Sequence, residues 1–93
     1  MTEQKEKIRA LLDRNKTDEA LHLLNPLIEK ASACGDDELY YLYGNAWRKK
    51  GNWQKALESY LEAISINPQS PAKEAHRMLM DILEFYNKDM YNQ

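Results

Sequence analysis

Two histidines and one cysteine are the side chains of this 93-residue sequence best suited to catalysis or metal binding: His22, His76 and Cys34. Metal ligation would need them near one another or near acids at ligand spacing, and no such spacing occurs. Cys34 beside a histidine could act as a nucleophile, but a thiol next to a helix-ending glycine is more often incidental. We therefore expect no catalysis and no metal site, with an enzyme that uses Cys34 and a histidine as the weaker alternative.

Three consecutive acids, Asp36, Asp37 and Glu38, form the second group that could do chemistry. At the start of a helix such carboxylates splay around the axis, and no histidine or fourth acid is placed to complete a metal site. Carboxylates in this position interact favourably with the positive end of the helix dipole. No glycine-rich phosphate loop occurs either, because the three glycines lie apart at structural positions. The sequence predicts helix capping at this triplet and no cofactor.

Composition narrows the class of protein. A hydrophobic content of 43% and a charged content of 30% are typical of one small soluble domain. The net charge of -2 and the absence of a polybasic run argue against nucleic acid as a partner. The charged first residues do not fit a signal peptide, and no apolar run approaches the ~20 residues of a membrane span. With one cysteine and no internal disulfide, we expect a cytoplasmic protein without a membrane partner.

Two amphipathic helices joined by a tight turn are predicted between Asp37 and Pro68. The first helix has a buried face at helical spacing, made of Tyr40, Tyr43, Gly44 and Trp47. Gly51-Asn52 interrupts the pattern, and the second helix has a face made of Trp53, Ala56, Tyr60 and Ala63. Asn67-Pro68 ends it, because proline disfavours helical geometry in the residue before it. The small residues on these faces let two helix backbones approach closely.

This segment resembles the tetratricopeptide repeat (TPR), a helix–turn–helix unit of ~34 residues. Every signature position of the repeat is filled, by Tyr40, Tyr43, Gly44, Trp47, Gly51, Trp53, Ala56, Tyr60, Ala63 and Pro68. An ordinary helical hairpin is the alternative interpretation of the same pattern.

Residues 4–34 are similar to a second, degenerate repeat. A short helix over 4–14 has the apolar stripe Ile8, Leu11 and Leu12. Asn15 replaces the turn glycine, and Thr17 or Asp18 is expected to cap the next helix. That helix contains Pro26, which predicts a kink, and ends at Gly35 as a left-handed cap. Its predicted buried face is Ala20, Leu23, Leu24, Leu27, Ile28 and Ala31.

A fifth helix is predicted from Pro71 to about Tyr86 or Asn87, with Ser70 as its N-cap. Its apolar stripe is Ala75, Met78, Leu79, Ile82 and Phe85. A lone last helix of this kind usually covers the end of a TPR array, and the ending is similar to the tails of small bacterial TPR proteins. The resemblance implies an all-α, right-handed superhelix of about two and a half repeats with a C-terminal capping helix. We expect one domain over 1–93, divided into a degenerate repeat (4–34), a full TPR (37–70), the capping helix (71–87) and a tail (88–93).

The resemblance also implies a function, which is non-catalytic protein–protein interaction. In this family the first helix of each pair lines a concave groove that holds a peptide or a partner's helix. By spacing, nine side chains are expected to line it here: Lys5, Arg9, Tyr41, Asn45, Arg48, Lys49, Lys73, His76 and Arg77. Six of these nine are Lys or Arg although the protein is net acidic, which predicts an acidic or C-terminal carboxylate ligand.

Three other interpretations stay open. TPR proteins that clamp the C-terminal carboxylates of chaperones have ligand positions matched here by Lys5, Lys73 and Arg77, whereas Arg9 and Leu42 replace their asparagines. Alternatively, these charges are ordinary solvated side chains. The rival function is a structural protein that forms a homodimer through the C-terminal helix and its aromatic tail, although we expect a monomer.

Overall fold

The computed structural model describes the backbone of residues 2–91 and the side chains of residues 3–85. Five α-helices and no strands occur in this part of the chain: α1 (Thr2–Asp13), α2 (Thr17–Cys34), α3 (Asp37–Lys49), α4 (Trp53–Ile66) and α5 (Ala72–Tyr91). Each helix packs on the next in the chain, and α1 also contacts α3. The predicted all-α architecture of five helices is confirmed.

Left-handed residues close the three turns that connect α1 to α4. Gly35 and Gly51 have φ angles of 67° and 83°, and Asn15 has a φ of 61°. In each turn the N–H of the following residue donates to the carbonyl five residues earlier, over N···O distances of 2.8 to 3.0 Å. This hydrogen bond defines the Schellman motif that ends a helix. Asn15 therefore takes the structural place of Gly51, as predicted, because asparagine tolerates the left-handed region.

Side-chain caps begin α3 and α5 as predicted, but not α2. Asp36 accepts the backbone N–H of Leu39 over 3.3 Å, and the Ser70 hydroxyl accepts the N–H of the second residue after it over 3.1 Å. At the start of α2, Lys16 occupies the N-cap position, and its side chain makes no capping hydrogen bond. The expectation that Thr17 or Asp18 caps this helix was wrong, because both lie inside it.

Helix α3 lies between two hydrophobic clusters. One side contributes Leu39, Leu42 and Ala46, each at most 2% exposed, to a cluster with α1 and α2. Another cluster joins α4 and α5 through Ala56, Tyr60, Ala63, Ala72 and Leu79. The predicted aromatic face of α3 is only partly buried, at Tyr40, Tyr43 and Trp47. The sequence pattern missed the more buried aliphatic face because α3 has neighbours on two sides.

Most predicted faces of α1 and α2 are confirmed. Ile8 and Leu12 of α1 are buried, and Leu11 packs against them. On α2 the buried residues are Ala20, Leu21, Leu24 and Ala31, with Leu23, Leu27 and Ile28 partly buried. The helix is continuous through Pro26.

The structure adds three details to the patterns predicted for α4 and α5. Trp53 is 39% exposed, since it is the first residue of α4 and the buried face begins one turn later at Ala56. On α5, Leu79 is fully buried, but Met78, Ile82 and Phe85 are 47%, 41% and 63% exposed. In the described chain α5 packs on α4 and has no later helix beside it, so one of its sides stays uncovered. The helix also continues to Tyr91, so residues 88–91 of the predicted tail are helical; residues 92 and 93 lie outside the described part.

Candidate functional site

The nine predicted binding residues separate into three places on the surface. One pocket contains Arg9, Tyr41, Asn45, Arg48 and Lys49. A second, at the start of α5, contains Lys73, His76 and Arg77. Lys5 lies in a third, beside the turn between α2 and α3.

The first of these, which we call the α1–α3 pocket, has a volume of about 270 Å³. Its complete lining is Arg9, Leu12, Asp13, Tyr41, Leu42, Asn45, Arg48 and Lys49. Leu12 and Leu42 are 4% and 2% exposed and form an apolar floor. Tyr41, Asn45 and Arg48 are partly buried, and their spacing of four and three residues places them on one face of α3. A pocket with an apolar floor and a few polar groups is suited to a peptide side chain or terminus.

Asn45 is held from behind by a residue of α4. The Tyr60 hydroxyl donates to Asn45 Oδ1 over an O···O distance of 2.6 Å. Tyr60 is fully buried, and this burial raises the pKa of its phenol to about 12 although the charge of Arg48 acts in the opposite direction. The hydroxyl is therefore protonated and serves as a donor. Its ring also lies beside that of Tyr41, with centroids 6.3 Å apart.

Arg48 is a partly buried cation of the α1–α3 pocket. It makes no ion pair with any described side chain, whereas Arg9 in the same pocket is hydrogen-bonded to Glu38. Lys49 Nζ lies 3.5 Å from the neutral Asn15 Oδ1. Asp13 is the carboxylate that lines the pocket on its α1 side. The α3 wall is consequently positive and the α1 wall mixed.

Lys5 belongs to an ion-pair network that joins α1 to the start of α3. Its Nζ lies 3.0 Å from Asp36 Oδ2 and 3.1 Å from Glu38 Oε1. Burial alone lowers the pKa of Lys5, but the hydrogen bonds and charges of the two carboxylates outweigh it, so this pKa lies above its usual value. Arg9 joins the network through Glu38. Both cations are thus neutralised within the protein.

The pocket at the start of α5 has a volume of about 560 Å³. Arg77 is paired with Glu74 and lies 3.2 Å from Asp81. The hydrogen bond and charge of Glu74 raise the pKa of the Arg77 guanidinium, and the same contact lowers the pKa of the Glu74 carboxyl. Lys73 makes no ion pair with the described side chains and is exposed, and His76 is partly buried. The charges of Lys73 and Arg77 are thus balanced formally by those of Glu74 and Asp81 in the same lining.

The two histidines and the cysteine lie in three different pockets. His22 lies beside Lys7 and Leu23, Cys34 beside Lys5, and His76 at the start of α5. The structure therefore does not bring the Cys34 thiol to an imidazole. Within the described residues, no three His, Cys, Asp or Glu side chains are grouped to hold a metal ion.

Sequence reasoning missed two features of the α1–α3 pocket. It placed Leu42 at an asparagine position of the carboxylate-clamping subfamily, but Leu42 forms the floor and Asn45 supplies the amide. It also treated Tyr60 as packing alone. The signal was present, because a tyrosine on a fully buried helix face needs a partner for its hydroxyl.

The chain belongs to the tetratricopeptide repeat family, whose model matches residues 6–71. The solution NMR structure of the Bacteroides fragilis protein BF1650 is similar, with a TM-score of 0.81 and 51% sequence identity. The similarity covers 97% of this chain and 90% of that chain. No significant match was found among curated proteins. Tetratricopeptide repeats generally mediate protein–protein interactions and are typically non-catalytic. No helix in the described part of the chain combines the length and apolarity needed to cross a membrane.

Proposed function

We propose that this protein is a non-catalytic interaction module that binds a peptide segment with an acidic or C-terminal carboxylate in the α1–α3 pocket. The observation that carries the proposal is Arg48, a partly buried cation without an ion-pair partner among the described side chains, next to Tyr41 and Asn45. A guanidinium presents several N–H donors in a geometry that matches a carboxylate.

Charge contacts within the protein narrow the set of binding residues. Lys5, Arg9 and Arg77 already contact carboxylates, so a ligand would have to compete with those contacts. Arg48 and Lys49 have no such competitor in the described chain. We therefore assign the main attraction to these two and secondary roles to Lys73 and His76 in the pocket at the start of α5.

Tyr41 supplies the apolar part of the contact. Its ring is partly buried and is supported from behind by the ring of Tyr60. Aromatic side chains that are rigid and partly exposed often dominate the energy of an interface. Because eight residues line the pocket, against about 20–30 residues per partner in a standard interface of ~800 Å², we expect roughly micromolar binding.

The test is an NMR titration of the isotope-labelled protein with a short acidic peptide carrying either a free or an amidated C-terminus. We expect shifts at Tyr41, Asn45 and Arg48, larger with the free carboxylate. Arg48→Gln should weaken binding at least fivefold. Arg14→Gln is the matched control, because Arg14 is exposed and makes no ion pair with the described side chains. Absent shifts, or shifts confined to α2 and α4, would contradict the proposal.

Self-association is the second candidate, and the uncovered side of α5 favours it. Met78 and Ile82 lie four residues apart on one face and are 47% and 41% exposed. In an antiparallel pair of α5 helices, Met78 of each copy would lie against Ile82 of the other, in a symmetric contact. Light scattering of the native protein over a range of concentrations tests this candidate. Ile82→Glu should convert a dimer into a monomer, while Leu61→Glu, at a residue 52% exposed on α4, should not. A monomeric wild type at every concentration would exclude it.

A further inference from the structure

We propose that Tyr60 is a positioning residue for the α1–α3 pocket, which makes the pocket selective for ligands that present hydrogen-bond acceptors. Tyr60 does not line the pocket, since it lies on α4 behind α3. It acts through Asn45, whose amide it holds in one of two orientations. The inference rests on the proposed function and adds that Tyr60 determines which ligands the pocket prefers.

The direction of the Asn45 amide follows from hydrogen-bond accounting. The Tyr60 hydroxyl donates to Asn45 Oδ1 over 2.6 Å. Within the described residues, this oxygen is the acceptor of the hydroxyl proton. Turning the amide by 180° would bring its NH2 group to the hydroxyl. The phenol would then accept a hydrogen bond but leave its own proton without an acceptor in a fully buried site. The oxygen therefore faces Tyr60, and the NH2 group is the part of Asn45 left for a ligand.

The Asn45 amide and the Arg48 guanidinium therefore both offer donors to the pocket. Arg48 follows Asn45 by three residues, so both side chains lie on the same helix face. A guanidinium has no acceptor, and the Asn45 oxygen is directed at the Tyr60 hydroxyl on α4. A carboxylate can accept from both groups. A C-terminal amide presents N–H groups of its own, so it matches this pair less well.

Gly44 makes this support from α4 geometrically possible. A Cβ atom at residue 44 would lie 2.5 Å from Tyr60 Cε1, which means that the ring occupies the space a side chain would need. The phenol ring can therefore lie against the α3 backbone at Gly44. Its hydroxyl then reaches the side chain of the next residue, Asn45. The close approach of the two helices and the orientation of the binding amide are parts of one arrangement.

Tyr60→Phe tests the proposal because it removes the hydroxyl and keeps the ring. Calorimetric titration would use the same acidic peptide with a free and an amidated C-terminus. We expect the preference of the wild type for the free carboxylate to fall roughly three- to tenfold in the variant, with less than a twofold change for the amidated peptide. Tyr43→Phe is the matched control, because Tyr43 donates the same kind of hydrogen bond, to Asn25 Oδ1 over 2.9 Å, outside the pocket.

An unchanged preference in a folded Tyr60→Phe protein would overturn the proposal, as would an equal loss in the Tyr43→Phe control. If the wild type binds neither peptide, the proposed function fails, and nuclear Overhauser contacts of the free protein decide the inference separately. Contacts from the Asn45 Nδ2 protons to Arg48 support it. Stronger contacts from these protons to the Tyr60 hydroxyl than to Arg48 overturn it.

Discussion

Gly44 and Tyr60 are in direct contact across the α3–α4 interface: the space where a Cβ of residue 44 would lie is filled by the Tyr60 ring, at 2.5 Å from Cε1. In an isolated helix, alanine is favoured over glycine by ~1 kcal/mol. Here the added methyl must displace a buried ring between two packed helices. We expect Gly44→Ala to lower the free energy of unfolding by roughly 1–3 kcal/mol, measured by urea denaturation.

The origin of that loss can be checked in a second background. Tyr60→Leu removes the ring and leaves a flexible side chain in its place, so Gly44→Ala should cost much less there. An equal cost in both backgrounds would show that the contact with the ring is not the cause.

Some features of this fold are set by local residue spacing, and others are set by neighbouring helices. The number and order of the helices, the turn equivalence of Asn15 and Gly51, and helix capping at the acid triplet that begins with Asp36 follow from residue type and spacing, so they were predicted. The exposure of Met78 and Ile82 depends on whether another helix follows α5, which helical periodicity cannot indicate. The loss of Lys5 and Arg9 to carboxylates of α3 depends on packing between helices. A list of outward-facing cations therefore overstated the positive charge available to a ligand.

The raised pKa of Tyr60, to about 12, predicts how stability changes at high pH. An unfolded tyrosine loses its proton near pH 10, whereas folded Tyr60 keeps it until about pH 12. Between these values the folded state binds more protons, so its stability falls as the pH rises. The stabilisation that comes from the protonated Tyr60 hydroxyl is fully present below pH ~10. Roughly 2–3 kcal/mol of it is lost by pH ~12.

The measurement compares urea denaturation of the wild type and Tyr60→Phe from pH 8 to pH 12. At pH 8 the wild type should be more stable by about 1 kcal/mol, the value of one hydrogen bond. The difference should shrink and then change sign as the pH approaches 12. A difference that stays constant over this range would contradict the burial of an ionisable hydroxyl.

The left-handed conformation of Asn15, with a φ of 61°, predicts that glycine is better at this turn. Glycine adopts this region without the steric cost that a Cβ brings. Asn15→Gly should raise the free energy of unfolding, measured by urea denaturation, by roughly 0.5 kcal/mol. Asn15→Ala should lower it by about 1 kcal/mol. Both substitutions remove the 3.5 Å contact with Lys49, so their difference reports the backbone alone. Equal stabilities for the two variants would count against the turn geometry.

Asp36 has two structural roles that two substitutions can separate. It caps α3 through the N–H of Leu39 and pairs with Lys5 over 3.0 Å. Asp36→Ala removes both and should cost about 1–2 kcal/mol. Asp36→Asn keeps a capping oxygen and should cost about half as much. Because salt screens charge more than a neutral hydrogen bond, 1 M NaCl should reduce the loss of stability caused by Asp36→Asn. If Asp36→Asn costs as much as Asp36→Ala at low salt, the capping role is contradicted.

Asp13 is the acid that faces the proposed carboxylate ligand across the α1–α3 pocket. Its negative charge opposes that of the ligand, while it can accept an N–H from the peptide backbone. Charge alone dictates that the repulsion between Asp13 and the carboxylate ligand dominates. Asp13→Asn should therefore strengthen binding of the acidic peptide about two- to threefold, which corresponds to a surface-charge effect of ~0.5 kcal/mol. Glu29→Gln changes the net charge by the same amount at an exposed site on α2 outside the pocket. An equal gain in that control would trace the effect to the overall charge of the protein, and a loss in Asp13→Asn would make Asp13 a ligand-binding residue.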